Sequence, residues 1–234
     1  MMKSGYEGAE VTGFPEENED TGRGRLLAVG DIHGCLDHLE RLMARVEPAK
    51  SDRIVFMGDY IDRGPDGKGV IDYLIDFGRR FPETVFLKGN HEAMFLDFLA
   101  GRNQWLFLYN GGASTLESYQ EEKGIRIPKA HFDFFSNLRL YHETDNFIFV
   151  HAGLRPGKRL EQQREKDLLW IREEFIDSSF DWGKTVVFGH TPQEQPLLGK
   201  NRICVDTGAV FGNSLSCCDV EKRRCWTSQP LPPA

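Results

Sequence analysis

No apolar run in this chain approaches the roughly 20 residues needed to span a bilayer, so no transmembrane helix is expected. The first residues also lack the basic-then-apolar pattern of a secretion signal, and a cytoplasmic location is the expectation. Positive charge is in deficit. Against 36 Asp and Glu stand 29 Lys and Arg, a net charge of −7, which argues against a nucleic-acid polymer as partner because phosphate backbones bind to basic surfaces. Cysteine is scarce: Cys35, Cys204, Cys217, Cys218 and Cys225 are an odd number without zinc-finger spacing, and an adjacent pair such as Cys217-Cys218 seldom closes on itself. All five are expected to be reduced, serving as small apolar residues. Repeats and low-complexity tracts are lacking too, which favours a single domain.

What is there begins with residues 1–24, rich in Gly and Glu and carrying the acidic run Glu16-Glu17-Asn18-Glu19-Asp20 without periodicity. They read as a disordered acidic leader, and 25–234 as the folded domain. Residues 26–29 form a short apolar run, and Leu36, Leu39, Leu42, Met43 and Val46 then recur at helical spacing until Pro48. A second strand is predicted over 53–57, a helix over 70–81, a third strand over 85–87 and a helix over 94–99. Three successive strand–loop–helix units predict an α/β fold with parallel strands buried on both faces and a site at their C-terminal ends. Residues 101–130 read as a helical insertion. The later segments, strands over 147–150, 186–188, 203–206, 214–220 and 224–227 and a helix over 168–176, point to a second sheet that is largely antiparallel.

The stretch Met57-Gly58-Asp59-Tyr60-Ile61-Asp62-Arg63-Gly64 crowds carboxylates at the end of a buried strand, where they repel one another unless a cation holds them. An apolar run ending in a potential metal ligand recurs at Gly30-Asp31-Ile32-His33, Gly89-Asn90-His91, Val150-His151 and Gly189-His190. Four of the seven histidines occupy these slots; His38, His131 and His142 read as ordinary core or surface residues. Mixed carboxylate, amide and imidazole donors suit Mn, Fe or Zn, with too little oxygen for calcium and no thiolate set for structural zinc. There are too many donors for one ion. Two ions sharing a carboxylate, which activate a water and stabilise the attacking and leaving oxygens of phosphoryl transfer, match the set.

Together GDIHG (30–34), GDYIDRG (58–64), GNHE (89–92), HAG (151–153) and GHT (189–191) resemble the metallophosphoesterase superfamily, and the GDYIDRG and GNHE forms its phosphoprotein phosphatase branch. Trp170-Ile171-Arg172 and the segment 205–211 resemble the bacterial and lambda-phage serine/threonine protein phosphatases. The resemblance covers about residues 25–221 and implies a four-layer α/β/β/α sandwich with two mixed sheets. It implies that Asp31 and His33 hold a first metal, that Asp59 bridges, and that Asn90, His151 and His190 complete the second, with manganese favoured and iron or zinc as alternatives. His91 would be the general acid, kept protonated by Asp62. Arg63 and Arg172 would grip phosphoryl oxygens. Lys88 is a further substrate-binding candidate at a position where many relatives carry arginine; lysine lacks the bidentate fork. Cys35, beside the first metal loop, reads as a helix starter.

The implied activity is hydrolysis of phosphoserine and phosphothreonine monoesters, with phosphotyrosine as an extension. The alternative is a symmetrical dinucleoside tetraphosphate hydrolase, for which Trp105, Phe107, Tyr109 and Tyr119 of the insertion would stack a nucleobase. A non-catalytic scaffold is disfavoured because no metal-ligand or acid position is lost.

Overall fold

A computed structural model describes residues 24–229, and the expected leader lies outside them except for Gly24. Strand β1 (Leu26–Val29) is buried along its length and pairs in parallel with β2 (Arg53–Phe56), which pairs in parallel with β3 (Val85–Phe86). Helices α1 (Leu36–Val46) and α2 (Gly67–Arg80) are the crossovers. In α1 the apolar spacing puts Leu39, Leu42, Met43 and Val46 on one buried face.

Side chains of β1 alternate between two layers. Leu27 and Val29 pack with Leu39 and Leu42 of α1 and Ile71 and Leu74 of α2. Leu26 and Ala28 turn the other way, against Phe147, Phe149, Val187 and Ile203 of a second sheet. That sheet's far face, carrying Ile148, Val150, Val186 and Phe188, is covered by Leu168 and Phe175. The succession helix, sheet, sheet, helix is the α/β/β/α sandwich expected from the sequence.

The second sheet contains β6 (Tyr141–Glu143), β7 (Phe147–Val150), β8 (Thr185–Phe188), β10 (Arg202–Cys204) and β9 (Leu197–Leu198), in that order. Its central pairs, β7–β8 and β8–β10, are parallel and its outer pairs antiparallel, so it is mixed rather than largely antiparallel. The strands β11 (Ser216–Asp219) and β12 (Arg224–Thr227) do not join it. They extend the first sheet, with β11 antiparallel beside β1. Short strands carry no local mark of the sheet they will join.

The cysteine expectation is corrected in part. Cys218 and Cys225 are register partners across β11 and β12, their Cα atoms 4.0 Å apart, and form a disulfide. Cys35, Cys204 and Cys217 are free and buried, as expected. The insertion is helical in α4 (Gln104–Phe107) and α5 (Ala113–Ser118), joined through a π turn over Leu108–Gly112. It then adds the hairpin β4 (Gln120–Glu121) and β5 (Gly124–Ile125) before α6 (Lys129–Ser136). The helix expected over 168–176 is two pieces, α7 (Glu165–Trp170) and α8 (Glu173–Ile176), broken where Arg172 leaves helical geometry at φ −131°, ψ −99°. No helix among the described residues is long and apolar enough to cross a membrane.

Candidate metal centre

Every strand-end motif opens on the same rim. The turn after β1 carries Asp31 and His33, and the turn after β2 carries Asp59, Asp62 and Arg63. Helix α3 (Asn90–Leu99) starts four residues earlier than its apolar pattern indicates, so Asn90 and His91 sit in its first turn. The second sheet contributes His151 after β7 and His190 after β8. The backbone is strained here: His33, Asp59, Asp62, Arg63 and His190 all have left-handed φ, between 47° and 71°. Such conformations cost about 1–3 kcal/mol each and persist only when their surroundings over-determine them.

The restraints are visible. The amides of Ile32 and His33 both donate to the Asp59 carbonyl, at 3.0 and 2.8 Å. Glu92, fully buried, accepts from the amides of Asp59, Tyr60 and Gly89 at 2.9, 2.8 and 2.9 Å. Gly58, at φ +98°, has no room for a side chain: a β-carbon there would lie 2.6 Å from the Gly89 nitrogen and 3.0 Å from His151 Nδ1.

Asp59 is the hub. Its Oδ2 is 3.5 Å from His33 Nε2 and 3.9 Å from His91 Nε2, and its Oδ1 is 3.4 Å from His151 Nε2. His151 Nε2 in turn lies 3.0 Å from Asn90 Oδ1 and 3.2 Å from His190 Nδ1. Two donor groups result, His33–Asp59–His91 and Asp59–His151–His190, each with its donor atoms within 4.8 Å of one another. Nδ1 of His33 faces the Ile61 carbonyl at 2.9 Å and Nδ1 of His151 the Met57 carbonyl at 2.8 Å. A proton on each Nδ1 turns both Nε2 lone pairs towards Asp59. Asp31 Oδ1, His91 Nε2 and His190 Nε2 are buried without a hydrogen-bond partner. Orphaned donors of this kind fit a pair of divalent ions.

Asp31, His33, Asp59, Asn90, His91, His190, Arg63 and Arg172 line a single cleft of about 190 Å³. Arg63 is exposed at its mouth, its Nη1 2.9 Å from His33 Nε2. The guanidinium of Arg172, freed by the break between α7 and α8, makes no hydrogen bond or ion pair among the described residues. Lys88 does not join them: its Nζ is 3.4 Å from Glu165 Oε1, away from the cleft lining.

The profile of the calcineurin-like phosphoesterases matches residues 24–213, the span that builds this cleft. The chain belongs to the calcineurin-like metallophosphoesterase family. Serine/threonine-protein phosphatase 1 of Salmonella typhimurium (strain LT2) is 34% identical over 199 residues, covering 80% of this chain and 88% of that protein. The asymmetrical bis(5'-nucleosyl)-tetraphosphatase PrpE of Bacillus thuringiensis (strain Al Hakam) is 28% identical over 216 residues, covering 80% and 87%. A crystal structure provisionally described as a diadenosine tetraphosphatase superposes with a TM-score of 0.70 at 25% identity, covering 88% of this chain and 94% of that one. This metallophosphoesterase is therefore a hydrolase of the phosphoprotein phosphatase branch.

Electrostatics in the metallophosphoesterase centre divide the imidazoles. Burial pushes His33 down to about 3 and His190 to about 2, and lowers His151, so all three are neutral donors. His91 moves up. Burial opposes its charge, but the nearby Asp59 and the Asp62 hydrogen bond outweigh it. Burial also raises Asp62 against the pull of His91 and Thr115. Asp59 is held ionised, because the four surrounding imidazoles outweigh its burial. Burial lifts the Cys35 thiol to about 11, which leaves it inert at the start of α1.

Several residues around the centre have no role assigned to them by the motifs. Thr115 of α5 donates its hydroxyl to Asp62 Oδ1 at 2.5 Å and accepts the Asp62 amide at 2.9 Å. Asp206, two residues after β10, faces the cleft. Phe211 is 62% exposed at the cleft mouth, its ring centroid 5.5 Å from the Arg63 guanidinium carbon. Of the insertion aromatics, Phe107 and Tyr119 are buried against Phe95, while Trp105 and Tyr109 are exposed. His131, expected to be an ordinary core or surface residue, is buried and bridges Tyr119 and Asp72.

Proposed function

We propose that this metallophosphoesterase hydrolyses phosphoserine and phosphothreonine monoesters of proteins, and phosphotyrosine as a further substrate. The observation that carries this reading is the charge of the cleft: two arginines line it and no lysine does. Two guanidinium forks answer one phosphoryl dianion, whereas a tetraphosphate chain brings more charge than they can match. The 34% identical relative named as a serine/threonine phosphatase points the same way.

In this reading Asp31, His33 and Asp59 hold one divalent ion, and Asp59, Asn90, His151 and His190 the other. Manganese is the preferred ion, with iron or zinc as substitutes. Bound there, the pair supplies Lewis-acid polarisation of the phosphoryl group and activation of a water. Arg63 and Arg172 orient the phosphoryl oxygens by paired N–H donors. His91, kept protonated from its Nδ1 side by Asp62, gives the Nε2 proton to the leaving oxygen. Lys88 is left out of the substrate site.

The second reading is hydrolysis of a dinucleoside tetraphosphate, with the exposed Phe211 as a surface for a base. Within this reading the PrpE relative favours asymmetrical cleavage rather than the symmetrical cleavage named as the alternative from the sequence. A side-by-side assay with Mn²⁺ of a phosphoserine protein, a phosphotyrosine peptide and diadenosine tetraphosphate separates the two. The phosphoserine protein is expected to give the highest kcat/KM, and a higher value for diadenosine tetraphosphate would overturn the first reading.

A further inference from the structure

Asp206 is a buried carboxylate, 2% exposed, at a sixth strand end of the rim, and none of the assigned roles uses it. It lines the cleft with Asp31, His33 and Asp59. Gly189 leaves room for Asp31 beside it: a β-carbon there would lie 2.2 Å from Asp31 Oδ1, and the Asp206 β-carbon is 3.7 Å from the same point. One oxygen of each carboxylate is accounted for, Asp206 Oδ1 by the Gly208 amide at 2.9 Å and Asp31 Oδ2 by the His190 amide at 3.0 Å. Asp31 Oδ1 is buried with no partner. Neither residue forms an ion pair among the described residues. Two neighbouring carboxylates out of water are costly unless a cation lies between them.

We propose that Asp206 is a cation-holding residue of the Asp31–His33–Asp59 site, the carboxylate that sets the affinity and metal preference of that site. The proposal rests on the two-ion reading above. With Asp206 the first site has three carboxylates and one imidazole. The second has the shared Asp59, an amide and two imidazoles. The first site is thereby the harder of the two and favours Mn²⁺ over Zn²⁺, while the imidazole-rich second site discriminates less. The bland alternative is that Asp206 only braces its own loop through the Gly208 amide. Asparagine preserves that acceptor and removes the charge, so Asp206→Asn distinguishes the two roles.

The experiment titrates Mn²⁺, and separately Zn²⁺, into chelator-treated wild-type, Asp206→Asn and Asp206→Glu proteins by calorimetry, with metal content by mass spectrometry and folding by circular dichroism. Wild type is expected to bind two equivalents. Asp206→Asn should bind one of them about 10–100-fold more weakly, as when a carboxylate supporting a metal site is lost, with the other unchanged. The Mn²⁺-to-Zn²⁺ preference of the weakened site should fall, and Asp206→Glu should recover part of both. Two equivalents at wild-type affinity and preference in Asp206→Asn would overturn the proposal. Should Asp206→Asn not fold, Asp206→Glu decides alone: an altered Mn²⁺-to-Zn²⁺ preference at one site supports the role, and none overturns it. Fewer than two equivalents in wild type would instead bring down the two-ion reading itself.

Discussion

His91 Nδ1 lies 2.6 Å from Asp62 Oδ2, both side chains buried, while His91 Nε2 points without a partner towards Asp59. The same ring is therefore placed either to donate a proton or to join the donor group of His33 and Asp59. The two roles separate in a variant. As an acid, His91→Asn keeps two ions by mass spectrometry and loses about 10²–10⁴-fold in kcat on phosphoserine. The loss shrinks on p-nitrophenyl phosphate, whose leaving group needs no proton. As a ligand, the variant loses an ion and both substrates suffer alike.

Thr115 ties the helical insertion to this pair. Thr115→Val keeps the shape but removes both hydrogen bonds to Asp62, leaving a buried amide and a carboxylate oxygen short of a partner. A stability loss of about 1–3 kcal/mol is expected from urea unfolding. The kcat should fall more on phosphoserine than on p-nitrophenyl phosphate, because Asp62 then holds the His91 proton less well. An unchanged substrate ratio would reduce Thr115 to packing.

Asp59 serves both donor groups, so its loss differs in kind from that of a residue in one. Asp59→Asn is expected to lower content of both ions and to depress activity more than His151→Asn, which excess Mn²⁺ should partly rescue. Metal analysis after gel filtration is the check. Chelation of wild type should abolish hydrolysis and Mn²⁺ should restore it better than Ca²⁺.

How much of this was legible in the sequence follows from the range of each contact. Strand, turn and donor type lie within a few residues of one another at Asp31, Asp59, Asn90, His151 and His190, and local pattern sufficed to nominate them. Thr115 reaches Asp62 across 53 residues, and nothing in its helix announces the contact. The pairing of β11 with β1, and with it the Cys218–Cys225 bridge, depends on which sheet recruits a four-residue strand. The break at Arg172 was hidden because Leu168, Leu169, Phe175 and Ile176 keep an apolar spacing that one continuous helix would also give. Asp206 lies inside the segment 205–211, but its value lies in its place beside Asp31 in the cleft, which spacing along the chain does not encode.

The phosphate arginines and Lys88 make a contrast at similar cost in charge. Arg63→Lys and Arg172→Lys keep the charge but lose the planar fork, so each should raise KM and lower kcat/KM by about tenfold or more, the weight of one charge-assisted hydrogen bond. Lys88→Ala should leave both near wild type, since its partner Glu165 is on the exposed side. A Lys88→Ala loss as large as that of Arg63→Lys would return Lys88 to the substrate site.

Far from the centre, Asp52 offers a pH test of the fold. Its carboxylate accepts from the Arg25 amide at 2.8 Å, from the Arg25 guanidinium at 2.6 and 3.1 Å, and from the Ala49 amide at 2.9 Å, fastening the start of β1 to the start of β2. Burial would raise its pKa, but the Arg25 and Ala49 hydrogen bonds outweigh burial and lower it. A depressed folded-state value means that the stabilisation is complete above the unfolded value, about 3.9, and is lost as pH falls through the lower, folded one. At pH 7, Asp52→Asn should cost about 1.5–3 kcal/mol, the range for hydrogen bonds to a charged group. Taking the difference between wild type and variant cancels the other carboxylates, which titrate in both. That difference should stay level from neutral pH down to about 4 and then narrow with further acid. A gap that closes already between pH 7 and 5, where an aspartate with a lowered pKa does not titrate, would assign the effect to another group.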